Sequence, residues 1–173
     1  LAFYLPGFYG DLTALILFIV ASFTDFLDGM LARLLGEESK IGELLDPIAD
    51  KIIIATALIL LVMDGTIRQY EVIAAIIILT REILISGLRE FLAKGRIKLP
   101  VSNLAKLKTL LQMVSIALLL SGDTGNKIIN FQDYNAQTIG IIFLWLSAAL
   151  TLFTGYEYIR KGIDHAISED NKD

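Results

Sequence analysis

Long apolar runs decide what this chain can fold into. Residues 12–31, 48–63, 72–91, 107–120 and 139–159 are dominated by Leu, Ile, Val, Ala and Phe, with polar connections between them. An α-helix rises about 1.5 Å per residue, so runs of about 17 to 25 residues match a hydrocarbon core about 30 Å thick. Hydrophobic residues make up 55% of the chain, against roughly 45–50% in soluble domains even when Gly is counted. A mean hydropathy of +0.65 points the same way. The expected class is an all-α integral membrane protein, and the composition argues against a single soluble core. No repeat, Pro-rich linker or low-complexity segment divides the sequence, so residues 1–173 are expected to form one domain.

Turn residues such as Asp64-Gly65 and Ser121-Gly122-Asp123 punctuate the connections, and Asp11 is expected to cap the first full span. Of the 15 Lys and Arg, twelve from Arg33 to Lys172 fall on one side of the spans, only Arg68 and Lys127 on the other, and Arg81 within a span. The positive-inside rule makes the first side cytosolic. Leu1 to Leu5 resembles the end of an apolar segment, so one further helix is expected upstream, giving six spans with five visible. The first run has neither the basic leader nor the small-residue cleavage site of a signal peptide.

Composition excludes several chemistries. The chain has no cysteine, hence no thiol nucleophile, disulfide or Cys-based metal site. His165 is its only histidine and stands in the polar tail, which removes paired-histidine transferases and a Ser-His-Asp triad. A net charge of −4 argues against nucleic acid as a partner.

Carboxylates concentrate where lipid disfavours them. The segment TDFLDGMLARLLGEESKIGELLDPIADK, residues 24–51, lies at the cytosolic ends of the first two full spans. An ionised Asp near a helix centre costs about 2.5–3.5 kcal/mol on insertion scales, and less towards the interface. A bound cation would compensate. Asp25 and Asp28 are three apart and Asp46 and Asp50 four apart, so on helices each pair shares a face. Two such faces turned together offer hard oxygens suited to Mg²⁺ or Mn²⁺. Gly29, Ala32 and Gly42 leave room for a nucleotide to approach the backbone, Pro47 is tolerated in a first helical turn, and Arg33 marks the boundary or pairs with phosphate. Helix capping alone uses one carboxylate per helix start and does not account for four. Glu37, Glu38 and Glu43 read as a solvated connection.

The same residues fit the pattern D-x-x-D-G-x-x-A-R-x8-G-x-x-x-D-x-x-x-D of the CDP-alcohol phosphotransferase family, with Asp25, Asp28, Gly29, Ala32, Arg33, Gly42, Asp46 and Asp50 at its fixed positions. A second stretch, TREILISGLREFLA at 80–93 followed by VSNLAKLKTLLQMVSIALLL at 101–120, resembles the fourth and fifth helices of the branch whose acceptor is glycerol 3-phosphate. The resemblance implies a six-helix membrane bundle, two divalent ions held by the four aspartates, and Asp50 as general base. It implies CDP-diacylglycerol as donor, with cytidine near Thr24, Gly29, Ala32, Arg33 and Gly42, and glycerol 3-phosphate as acceptor. It also implies a homodimer in the bacterial inner membrane with its active site towards the cytosol. The family's first helix and its upstream polar motif are absent from this sequence.

Basic residues supply what carboxylates cannot, recognition of an anionic acceptor. Arg81 lies about 15 Å inside the cytosolic end of its helix. Arg89 lies two turns below, and Lys106 and Lys108 open the next helix. These four are the candidate acceptor-phosphate residues. A buried pair with Glu82 is the alternative for Arg81, and snorkelling to the interface is the alternative for the other three. Lys94, Arg96 and Lys98 read as a positive loop touching anionic lipid. Cardiolipin, phosphatidylinositol phosphate and phosphatidylserine synthases remain open within the family, and a cation transporter outside it, since intramembrane acids also mark ion pathways.

Overall fold

The computed structural model describes residues 7–35, 40–94, 103–131 and 134–170. In chain order these form α1 (Phe8–Leu35), α2 (Lys40–Met63), α3 (Glu71–Lys94), α4 (Asn103–Leu120) and a short α5 (Gly122–Ile128). Two-residue strands β1 (Asn130–Phe131) and β2 (Tyr134–Asn135) follow, and then α6 (Ala136–Asp170). The strands pair antiparallel, Asn130 opposite Asn135. Each apolar run is a helix, and the fold is otherwise all-α. Glu37, Glu38, Arg96 and Lys98 lie outside the described residues.

Local chemistry sets the helix ends. Gly65 at φ +80° and Gly122 at φ +52° follow α2 and open α5 in the left-handed region that a Cβ disfavours. The first helix starts a turn earlier than Asp11: the Gly7 carbonyl accepts from the Gly10 and Asp11 amides at 2.9 and 3.2 Å. Asp11 is therefore not the N-cap of α1. Its Oδ2 accepts instead from the Asp123 amide at 3.2 Å, tying α1 to the start of α5.

The inward faces repeat at helical spacing. Ile54, Leu58 and Leu61 of α2, Ala74, Ile78 and Ile85 of α3, and Ile116 and Leu119 of α4 are all buried. The outward faces are apolar as well, as Ile16, Val20, Phe23, Ile76, Ile83, Trp145 and Leu152 are exposed. Against lipid there is no hydrophobic drive to bring such helices together, and close packing of small residues takes its place. The last helix supplies them. Gly140 of α6 lies so close to α4 that a Cβ there would stand 2.9 Å from Leu119 Cδ2. Ser115 of α4 donates to the Gly140 carbonyl at 2.7 Å. Ser147, Thr151 and Thr154 are fully buried on the same helix.

Among the described residues, two helices are long and apolar enough to cross a membrane, Asn103–Leu120 and Ala136–Arg160. In α1 the apolar stretch Tyr9–Thr24 ends, and in α2 the apolar stretch Lys51–Met63 starts, at the charged segment 24–51. Arg81, Glu82 and Arg89 interrupt α3 in the same way.

Candidate active site

Two helices carry the aspartates. Asp25 and Asp28 belong to α1, Asp46 and Asp50 to α2, and the two helices pack against each other. On α1, Asp25 follows the buried Ala14 and Phe18 and the half-buried Ser22 at helical spacing. On α2, Asp50 precedes the buried Ile54 and Leu58 by one and two turns, and Asp46 stands a further turn out. The four thus stand at helical spacing from buried positions on adjacent helices. Their side chains, with those of Gly29, Ala32, Arg33 and Gly42, lie outside the described part, whereas Thr24 is exposed. Four carboxylates on neighbouring helices, in a chain without cysteine and with His165 as its one histidine, form a donor set that fits a hard divalent cation. Among the described residues no other group of acidic or histidine side chains could hold a metal ion.

A basic cluster joins α3, α4 and α6, with Arg81 and Lys108 largely buried and Arg89 exposed. Arg81 of α3 has a side chain 11% exposed, and its NH1 donates to Glu82 Oε1 at 3.3 Å. Its NH2 donates to Thr154 Oγ1 of α6 at 2.9 Å, and Thr154 in turn donates to the Leu150 carbonyl at 2.8 Å. Lys108 of α4, 4% exposed, pairs through Nζ with that same Glu82 Oε1. The guanidinium carbons of Arg81 and Arg89 each lie 5.8 Å from the ring centre of Tyr158, within cation–π range. Gly155 makes room for this arrangement, because a Cβ there would stand 3.2 Å from Arg81 Cγ. The helices that carry Arg81 and Lys108, α3 and α4, both pack against α2, so the basic cluster adjoins the aspartate-bearing helix.

The structure sorts the four basic candidates. Arg81, Arg89 and Lys108 come together, with Glu82 bridging two of them. Lys106 is exposed, and two positions along a helix of about 3.6 residues per turn it points away from Lys108. Arg81 does pair with Glu82, the alternative weighed from sequence, yet its Nε is buried without a partner among the described residues. Gln112 Oε1 and Thr151 Oγ1 are likewise buried and unpartnered. Gln112 stands one turn from Lys108 on α4, and Thr151 one turn from Thr154 on α6, so they continue the same polar seam. Thr154 and Tyr158 were not singled out from sequence, since nothing in an apolar run marks which residue will face residue 81. The groove lined by Leu84, Gly87, Leu88 and Phe91 of α3 and Ile159 and Ile163 of α6 is wholly apolar and takes no part in this constellation.

Comparison with known proteins identifies the family. Residues 1–153 match a family model described as CDP-alcohol phosphatidyltransferase. A protein of Rickettsia bellii named CDP-diacylglycerol–glycerol-3-phosphate 3-phosphatidyltransferase is 41% identical over 160 residues, covering 92% of this chain and 84% of its own length. Proteins of the same name from Cereibacter sphaeroides and Yersinia pestis are 37% and 35% identical, over 93% and 92% of the chain. A match over most of the chain, joined to four aspartates at the family spacing, means that this chain belongs to the CDP-alcohol phosphatidyltransferase family.

Proposed function

We propose that the chain is an integral-membrane enzyme that transfers the phosphatidyl group from CDP-diacylglycerol to sn-glycerol 3-phosphate, giving phosphatidylglycerol phosphate and CMP. The carrying observation is the cationic cluster of the buried Arg81 and Lys108 with the exposed Arg89 at its edge, on helices that pack against the aspartate-bearing α2, an anion site adjoining a metal-suited carboxylate set. A neutral alcohol would not need it. The names of the relatives from Rickettsia bellii and Cereibacter sphaeroides support the same donor and acceptor.

In this reading α1, α2, α3, α4 and α6 cross the bilayer as five helices of a six-helix bundle formed by one domain, and the basic ends face the cytosol. The bacterial inner membrane and a homodimer complete it. Asp25, Asp28, Asp46 and Asp50 would hold two Mg²⁺ or Mn²⁺ ions, which supply charge neutralisation on the pyrophosphate. Thr24, Gly29, Ala32, Arg33 and Gly42 line the cytidine end, and the acyl chains stay in lipid. Arg81, Arg89 and Lys108 hold the acceptor phosphate, which fixes the orientation of its far hydroxyl. Asp50 takes the proton from that hydroxyl as its oxygen attacks the phosphorus bonded to the diacylglycerol oxygen. The bond from that phosphorus to the CMP oxygen breaks, and CMP leaves. Positioning and proton removal of this kind contribute rate factors of about 10²–10⁴ for the base alone.

The test is an acceptor panel with purified protein in lipid and labelled CDP-diacylglycerol, reading CMP release and the lipid formed. Glycerol 3-phosphate should be used well above inositol phosphate, serine and phosphatidylglycerol. Turnover with one of those and none with glycerol 3-phosphate would reassign the acceptor.

A further inference from the structure

Glu82 has no part in the chemistry described so far, yet it is the centre of the basic pocket. Arg81 NH1 and Lys108 Nζ, from different helices, converge on one of its two oxygens, Oε1. Two buried cations meeting on one oxygen is the arrangement that a phosphate oxygen would accept from them. Without acceptor, Lys108 at 4% exposure and Arg81 at 11% side-chain exposure need a counter-ion, because a desolvated charge without one is costly. With a phosphate dianion present, the same carboxylate becomes a like charge against it. Glu82 can respond, as its side chain is 22% exposed, more than either cation it binds.

We infer that Glu82 is a positioning residue that stands in for the acceptor phosphate: it holds Arg81 and Lys108 in the empty enzyme and gives them up when glycerol 3-phosphate enters. The Nε of Arg81, buried against Gly155 and without a partner among the described residues, is a further donor that the guanidinium can offer the phosphate once Glu82 gives it up. Departure of the phosphate-bearing lipid product is then assisted by the returning carboxylate. Glu82 thus opposes acceptor binding and favours release.

This inference rests on glycerol 3-phosphate being the acceptor, and the parent enzyme tests that first: absence of turnover with it ends the functional reading before Glu82 is examined. The experiment measures KM for each substrate and kcat in Glu82→Gln and Glu82→Asp, with thermal unfolding in the presence and absence of glycerol 3-phosphate. In Glu82→Gln the acceptor KM should fall about threefold or more and kcat should fall with it, while KM for CDP-diacylglycerol stays within about twofold. Unfolding temperature should drop without acceptor and rise more steeply with it than in the parent. Glu82→Asp, too short to serve both cations, should shift the same way by less. Loss of a merely structural ion pair would leave the acceptor KM unchanged or higher, and either result in a folded variant overturns the inference. A variant that unfolds in acceptor-free buffer should be recovered by purification with glycerol 3-phosphate, and failure of that rescue also overturns it.

Discussion

Replacing Arg81 by Ala separates acceptor recognition from everything else in the pocket. The substitution should spare the fold: Thr154 keeps its bond to the Leu150 carbonyl at 2.8 Å, and Lys108 keeps Glu82. What disappears is the guanidinium, with NH1, NH2 and the unpartnered Nε in a site 11% exposed. A hydrogen bond to a charged group contributes about 1.5–3 kcal/mol, and each 1.4 kcal/mol is about tenfold in affinity. The Michaelis constant for glycerol 3-phosphate should therefore rise about ten- to a hundredfold, with that for CDP-diacylglycerol nearly unchanged. Arg81→Lys should recover only part of the loss, because an ammonium lacks the planar two-pronged donor set. Lys127→Ala, exposed on α5 at the opposite end, is the control. The assay is steady-state CMP release with one substrate varied at saturating levels of the other. An acceptor constant within about twofold of the parent in Arg81→Ala, a loss of only about 0.4 kcal/mol, would refute acceptor binding at Arg81.

Three further outcomes are expected. Asn at Asp25, Asp28, Asp46 or Asp50 should each lower kcat by orders of magnitude while the protein still inserts, and excess chelator should abolish parental activity until Mg²⁺ or Mn²⁺ is restored; near-parental turnover in two of the variants, or in chelator, removes the metal assignment. Gly155→Ala places a methyl 3.2 Å from Arg81 Cγ and should raise the acceptor KM severalfold, and Gly155→Val should raise it more; equal constants in both would mean that Arg81 does not lie against α6 during turnover. Lys108→Ala should raise the acceptor KM by about tenfold or more, whereas the exposed Lys106→Ala should leave it within about twofold, and a reversal of that order would mean that α4 presents the other face.

Long apolar runs made the helices legible, since nothing else satisfies about 20 consecutive backbone groups in lipid. The small elements were less so: α5 and the two-residue hairpin fall in a polar stretch where only the turn at Gly122 carried a signal. Asp11 read as a cap because Asp often is one, but the chain had a contact on α5 for it that local pattern does not show. Spacing alone puts Asp25 with Asp28 on one face of a helix and Asp46 with Asp50 on one face of the next, and those stretches are helices in α1 and α2. Thr154 and Tyr158 were not, because meeting Arg81 depends on how α6 packs beside α3. The separation of Lys106 from Lys108 could have been read, as Lys108, Gln112, Ser115 and Leu119 share one stripe and Lys106 falls off it.

The uneven distribution of charge among the helices bears on how the protein is made. Among the described residues α4 and α6 are the two helices long and apolar enough to enter lipid on their own merits, so they can be threaded into the bilayer independently and then zipped together along Ser115 and Gly140. For α3 the ionised Arg81 near its middle adds about 2.5–3.5 kcal/mol to insertion, a cost relieved once Thr154 of α6 is there to receive it. Yet α3 leaves the ribosome before either partner. Retention at the translocon, or at its lateral gate, until the sequence up to α6 has emerged is the expected consequence. A ribosome stalled between α4 and α6 should accordingly hold a nascent chain whose α3 is still extractable by alkali, and release of α6 should convert it to a resistant form.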